Sequence, residues 1–328
     1  MPKYKIGFVL DEYELLNSPP DKPNTSFLIM KECCSRNHQI YAILIKNLIL
    51  NNNKPEACAY MINADDFHGK YNRNINNQCY ISLNDLDMIL VRQNPPVNMD
   101  YIFCTYILDY VDKSKTIVIN DPSGIRKANE KLYINNFPEI TPKSIVTSNI
   151  SLIKSFLNQY NEIIIKPLDN FGGNGVFYLK EKDKNLNTIL ENATNNENKL
   201  VLAQEYLCNV KYGDKRLVLL GGEPIAAINR FPSEYDFRAN MCKGGYLEKG
   251  IITDEDREIC KKISKNLLQD GLFFVGLDII DNKLIEINVT SPGFFISIIN
   301  PMWNIKLEKI VVDYIESLRI KNNEYYKL

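Results

Sequence analysis

The sequence predicts an α/β protein in its first third and an α+β protein in the rest. Over the first 120 residues, short apolar runs alternate with helix-like stretches. That alternation belongs to a parallel sheet whose ligands gather at the carboxyl ends of its strands. From Thr141 onward the strands instead come in pairs joined by short turns, as in antiparallel hairpins. Division into parts 1–121, 122–207 and 208–328 follows, with the turn cluster Asn120–Asp121–Pro122–Ser123–Gly124 at the first boundary.

In order, residues 5–10, 39–45, 86–92 and 116–120 read as strands, and 26–36 and 101–113 as helices capped by Thr25 and Asp100. Asp11 and Arg92 then stand at strand ends. Residues 47–78 are Asn-rich and irregular, a surface hairpin or loop insertion. A helix over 122–135 would carry Lys131 outward. The middle part alternates a helix at 150–159 with strands at 162–166, 175–179 and 200–206. Paired strands at 215–220 and 224–230 lead into the polar segment 231–250, which reads as a mobile active-site loop. A helix at 254–268, the hairpin 275–292 and a final helix at 305–320 complete the chain.

Composition narrows the function. A length of 328 residues allows two or three domains, and a net charge of −1 leaves no global footprint for nucleic acid or an anionic membrane. No apolar run reaches the roughly 20 residues of a spanning helix. The first strand runs straight into Asp11 and Glu12, without a signal-peptide cleavage pattern. The eight cysteines form no Cys-x-x-Cys pair, and the two histidines, His38 and His68, fall in expected surface segments. Reduced thiols in a cytoplasmic protein are expected, not a disulfide framework, a zinc site or histidine catalysis.

Three oxygen-bearing side chains, Asp278, Glu286 and Asn288, interrupt otherwise apolar strands. Glu286 and Asn288 are two apart and so share a strand face, and Asp278 on the partner strand could join them. Such a set suits a hard cation, and magnesium held by few protein oxygens usually accompanies nucleotide phosphates. A polar stripe facing solvent is the alternative. A second signal is Lys166–Pro167–Leu168–Asp169–Asn170–Phe171–Gly172–Gly173–Asn174–Gly175. There a lysine ends an apolar strand and glycines let backbone N–H groups approach phosphate oxygens. An ordinary hairpin turn is the competing reading. Gln204–Glu205–Tyr206–Leu207 leaves a strand whose edge could read a base. Asp214, Lys215 and Arg216 start the next strand, Arg230 ends its hairpin and Arg238 lies in the polar segment.

The order of these elements resembles the ATP-grasp ligases, and in detail the bacterial glutathione synthetases. The strings Arg92–Gln93–Asn94–Pro95–Pro96, Asn129–Glu130–Lys131–Leu132, Lys166–Pro167–Leu168–Asp169, Gly213–Asp214–Lys215–Arg216 and Glu286–Ile287–Asn288–Val289–Thr290–Ser291–Pro292 carry the likeness, which runs from about residue 5 to 317. The resemblance implies an N-terminal α/β domain followed by a two-lobed ATP-grasp fold that joins γ-glutamylcysteine to glycine through an acyl phosphate. By position, Lys131, Lys166, Asn170, Phe171, Gly172, Gly173, Gln204, Glu205, Tyr206, Leu207 and Asp214 would bind ATP. Asp278, Glu286 and Asn288 would hold Mg2+, for which Mn2+ could substitute. Arg92, Arg216, Arg230, Arg238, Ser291 and Pro292 would meet the substrate, with Arg216 and Arg238 catalytic. A cytoplasmic homotetramer is implied as well. Two departures stand out: Asn170 replaces a frequent Gly, a position where Asn tolerates a left-handed backbone, and Gly293–Phe294–Phe295 replaces a polar continuation. Other carboxylate–amine ligases and a non-catalytic ATP-binding module are the alternatives.

Overall fold

The computed structural model describes residues 3–12, 24–67, 77–233, 245–292 and 296–325. The first sheet is built from β1 (Lys5–Leu10), helix α1 (Thr25–Ser35), β2 (Gln39–Leu44), β3 (Leu48–Asn51), β4 (Lys54–Ile62), β5 (Gln78–Ser82), β6 (Met88–Val91), α2 (Met99–Leu108) and β7 (Ile117–Ile119). Its strand order is β3-β4-β2-β1-β6-β7, with β5 beside β4. β2, β1, β6 and β7 are parallel, as the alternation predicted. Of the two readings of 47–78, the hairpin holds: β3 and β4 pair antiparallel, β4 also pairs with β2 and β5, and 68–76 lie outside the described residues. Three of the four buried residues of β4 are small (Pro55, Ala57 and Ala59, with Ile62 the fourth), and half-buried Glu56, Cys58 and Tyr60 lie between them, so the apolar signal is thin.

Both helix caps lie upstream of the expected residues. Asn24 accepts from the Phe27 amide at 2.7 Å and Asn98 from the Tyr101 amide at 2.9 Å. Thr25 and Asp100 are therefore inside their helices, because the Asn oxygen reaches the third helical amide from outside the first turn. His38, expected at the surface, is buried and shares a 2.8 Å hydrogen bond with Glu316.

The predicted helix over 122–135 is also shorter. Helix α3 (Pro122–Lys127) is capped by Asp121, and a 3-10 turn follows at Tyr133–Asn136. Between them the Asn129 side chain accepts from the amides of Lys131 and Leu132, both at 3.1 Å. This local Asn turn competes with helix continuation and swings Lys131 inward, where it is 6% exposed. The outward placement of Lys131 is thereby overturned.

The second sheet is small and antiparallel. It comprises β8 (Ser144–Thr147), α4 (Ile150–Tyr160), β9 (Glu162–Pro167), β10 (Phe177–Lys180), α5 (Leu186–Ala193) and β11 (Val201–Glu205), in the order β10-β9-β11-β8. Its core is separate: Ile153, Leu157, Ile163, Ile165, Leu179, Leu190, Val201 and Ala203 pack only with one another and partly buried neighbours.

The third sheet holds β12 (Asp214–Leu220), β13 (Glu223–Phe231), β14 (Tyr246–Lys249), β15 (Phe274–Ile280) and β16 (Lys283–Asn288), ordered β14-β13-β12-β15-β16. α6 (Asp254–Gln269) starts with a capping box of Thr253 and Asp256. The β15–β16 hairpin closes through Asp281 and Asn282, with φ of 52° and 56°, as a two-residue type I′ turn requires. The expected C-terminal helix is present as α8 (Leu307–Tyr325), and a short helix that was not expected, α7 (Ile296–Trp303), precedes it. Within the expected loop 231–250, the end of β13 and all of β14 are strand, and 234–244 lie outside the described residues.

The first and third sheets share their cores. Val9, Ile89 and Tyr101 cluster with Leu217, Val275 and Ile287, and Phe8, Met30 and Ile40 with Val218, Ile299 and Val311. Asn120, at the end of β7, stitches the two together. Its amide donates to the carbonyls of Phe274 and Val289, and its oxygen accepts from the Phe274 amide, all at 2.8 Å.

Candidate active site where two clefts meet

Pairing in the third sheet sets the polar residues in register. Arg216 on β12 lies opposite Asp278 on β15, which lies opposite Glu286 on β16, while Gly276 faces Asn288. The solvent-stripe alternative does not hold, because Asp278 and Arg216 are buried. Two carboxylates directly opposed across strands repel unless cations intervene. Here Arg216 forms a two-pronged ion pair with Asp278, and Arg230 reaches the same carboxylate at 2.9 Å. Burial alone would raise the Asp278 pKa, but the two guanidiniums outweigh it and hold the carboxyl well below the usual range. Asp214, opposite Arg230 and bonded to it at 2.5 Å, is dominated by burial and pushed up to about 6.

Asn288 donates its amide N–H to the Gly276 carbonyl at 3.2 Å. That bond fixes the flip of the amide and leaves the oxygen as the group free for a ligand. Asp278, Glu286 and Asn288 therefore offer an all-oxygen set suited to a hard cation.

Facing this row, the second sheet presents Lys166 at the end of β9. Lys166 donates to the Gln204 side-chain oxygen at 2.8 Å, and burial pushes its pKa down. The turn after it runs through Gly172, Gly173 and Gly175, with φ of 64°, 74° and 71°. A side chain at Gly172 would meet nothing within 4 Å, so it is backbone conformation that requires glycine there. Asn170 has no positive φ, so the left-handed backbone that Asn tolerates is not called on at this position. Its carbonyl instead accepts from Lys131, which also pairs with Glu286 at 3.3 Å. Lys131 thus bridges the glycine turn and the third sheet.

Between the two sheets lies a cavity of ≈ 310 Å³, bordered by Lys131, Lys166, Asn170 to Gly173, Gln204 to Leu207, Asp214, Arg216, Arg230, Asp278, Glu286 and Asn288. The Gln204 amide nitrogen and one Asp214 oxygen are buried without a hydrogen-bond partner. Unsatisfied buried polar atoms cost free energy, and these two border the cavity, so a polar ligand such as a nucleotide fits it.

A second cavity of ≈ 610 Å³ is bordered by Asp11, Glu12, Asn94, Pro95, Thr290, Ser291 and Pro292. The two cavities share Glu130, Phe171, Gly172, Arg216 and Asn288. Ser291 has a buried hydroxyl without a partner. Arg92 borders neither cavity. It is 2% exposed, donates to the Pro292 carbonyl and the Ser26 hydroxyl at 3.2 Å each, and lies over the Phe274 ring. Its link to the site runs through the backbone of Pro292. Arg238 and Gly293–Phe295 lie outside the described residues.

Glu130 is the site residue that sequence reasoning passed over. Its Oε1 accepts from the Thr290 hydroxyl at 3.0 Å and the Val289 amide at 3.3 Å, and its carbonyl accepts from the Ile287 amide at 3.0 Å. Burial, then Glu286, pushes its pKa up. The one available signal was its place beside Lys131, since strand and helix periodicity say nothing about a turn.

Comparison with known proteins agrees with this geometry. Residues 4–126 match the family model for the prokaryotic glutathione synthetase N-terminal domain, and 130–302 the model for its ATP-grasp domain. A glutathione synthetase from Buchnera aphidicola subsp. Schizaphis graminum is 40% identical, covering 95% of this chain and 96% of that protein. One from Nostoc sp. is 37% identical, covering 97% and 100%. Among solved structures, the ATP-grasp ligase PsnB, complexed with a precursor variant, Mg and ADP, superimposes with a TM-score of 0.61 at 14% identity, covering 97% of this chain and 99% of that one. At that identity the likeness concerns the fold alone. Matched by both domain models and by these relatives over nearly its whole length, the chain belongs to the prokaryotic glutathione synthetase family.

Proposed function

We propose that the chain joins γ-glutamylcysteine to glycine, converting ATP to ADP and phosphate and forming glutathione. Family membership makes it an ATP-dependent carbon–nitrogen ligase. The observation that carries the reading is the meeting of two polar cavities at Arg216, Asn288 and Glu130. A phosphoryl group arriving from one side meets a carboxylate, and then an amine, arriving from the other.

The cysteinyl carboxylate attacks the γ-phosphate of ATP and ADP leaves. Glycine nitrogen then attacks the acyl phosphate carbonyl and phosphate leaves. No protein nucleophile is needed, so the work is positioning and charge neutralisation. Lys131 and Lys166 hold phosphate oxygens, and backbone amides of Asn170, Phe171, Gly172 and Gly173 cradle them. The strand edge Gln204–Glu205–Tyr206–Leu207 and Asp214 hold the nucleoside. Arg216 and Arg230 neutralise the acyl phosphate, a role shared with Arg238 on sequence grounds. Ser291 and Pro292 line the acceptor side, and Arg92 positions Pro292. Asp278, Glu286 and Asn288 would hold magnesium, which supplies Lewis-acid neutralisation of the phosphates. PsnB was solved with Mg and ADP, and manganese, which shares the preference for oxygen ligands, is expected to substitute.

The three sheets suit a division into 1–121, 122–207 and 208–328. Association between copies is supported by Met99, Phe103 and Tyr106, exposed along α2, with Tyr110 exposed just beyond it, and a homotetramer is the form that the resemblance implies. A reducing cytoplasm suits the seven free cysteines among the described residues. Among the described residues, no helix is long and apolar enough to cross a membrane.

The deciding experiment measures ADP release with γ-glutamylcysteine, with and without glycine, and with D-alanine alone. Fast release requiring both glutathione precursors is expected, and release with D-alanine alone overturns the substrate assignment. Glu286→Gln should lower turnover by about 10³-fold at an unchanged melting temperature. Normal turnover in that variant at saturating magnesium removes the metal assignment.

A further inference from the structure

Glycine reaches this site as an ammonium, and the ligase reading, on which this inference rests, requires the amine to be held where the two cavities join. A buried ammonium needs hydrogen-bond acceptors, best a carboxylate. Three carboxylates border the second cavity: Asp11, Glu12 and Glu130. Asp11 is already occupied, one oxygen by the Gln93 side chain and the other by the Asn94 amide at 2.8 Å. Glu12 pairs with Lys46 at 2.7 Å, and its side chain is 57% exposed. Glu130 alone of the three also borders the nucleotide cavity.

Its attachment leaves one oxygen available. Both side-chain hydrogen bonds, from Thr290 and Val289, fall on Oε1, and none to Oε2 is present among the described residues. Those bonds, with the one between the Ile287 amide and the Glu130 carbonyl, also fix the carboxylate against the exit of β16, beside Asn288 and Ser291. A carboxylate so held presents a preset acceptor, and preorganisation lowers the cost of binding. We propose that Glu130 is the residue that binds the ammonium of the incoming amino acid, holding its nitrogen at the junction where the acyl phosphate forms.

The test compares two nucleophiles in Glu130→Gln, which keeps the shape and the Oε1 acceptor but loses the charge. Glycine arrives charged, whereas hydroxylamine is uncharged at neutral pH and traps an acyl phosphate as a hydroxamate. The variant should raise the KM for glycine roughly 10- to 100-fold. Hydroxamate formation from γ-glutamylcysteine and ATP should fall by a much smaller factor than ligation to glycine. Glu130→Asp, which keeps the charge, should recover part of the glycine affinity. Equal losses with both nucleophiles, or an unchanged KM for glycine, would overturn the assignment. Failure of the underlying ligase reading is distinguishable, because then the unaltered chain makes no hydroxamate, and both fall together.

Discussion

The two sheets that face each other across the smaller cavity are built very differently. The four-stranded sheet β8–β11 rests on a separate core of eight buried residues. The five-stranded sheet β12–β16 shares its cores with the first sheet and is pinned to it by Asn120. The small side carries Lys166 and the glycine turn, and the fused side carries the oxygen set and the arginines. A small core held by few partners opens locally at lower free energy than a large shared one. The arrangement therefore leaves the side with Lys166 and the glycine turn freer to move than the side with Asp278, Arg216 and Arg230, and on the proposed reading it would close over bound phosphates. Closure has chemical value because an acyl phosphate is lost to water in an open site.

The largest expected effect tests the fused side. Asp278→Asn leaves Arg216 buried beside a neutral group and Arg230 with Asp214 as its remaining partner, and removing one partner of a buried pair typically costs about 3–5 kcal/mol. Urea unfolding without nucleotide or magnesium should show that loss across the whole transition. A loss confined to β15 and β16 would mean the fused core is not one cooperative unit.

Next in size is Ile163→Ala in the small core, where Ile is fully buried and truncation costs about 2–5 kcal/mol. Here hydrogen exchange should show protection falling in β8–β11 and persisting in β15 and β16. Uniform loss in both sheets would break the contrast.

The smallest effect concerns pH. The Asp214 carboxyl is raised to about 6 in the folded chain, above its range in an unfolded one. Folding therefore takes up a proton as pH falls through about 6, so this group favours the fold increasingly toward acid and penalises it at neutral pH. Asp214→Asn lacks that term. From pH 7 to pH 5, without nucleotide or magnesium, the unaltered chain should gain about 1 kcal/mol relative to the variant in urea midpoints. A difference that stays flat with pH would show that Arg230, rather than burial, governs the carboxyl.

Much of this site was legible in the chain because its signals are local. Glu286 and Asn288 had to share a face through the two-residue strand period, and a hairpin of this length had to bring Asp278 alongside. The glycines after Lys166 announced a turn of unusual backbone. Illegible were features decided by partners far along the chain. Lys131 turns inward because the Asn129 side chain interrupts a helix and Glu286, 155 positions on, lies within 3.3 Å. Arg92 touches Pro292, 200 residues away.

By itself, then, the sequence determined the parallel strands, the two hairpins β12–β13 and β15–β16, the glycine turn, the shared face of Glu286 and Asn288 and the family resemblance, since these rest on periodicity and on consecutive residues. Only the tertiary structure decided which cations neutralise Asp278, which way Lys131 points and that Glu130 stands between two cavities. Burial and the approach of distant charges govern those outcomes, and neither is encoded in any local stretch of chain.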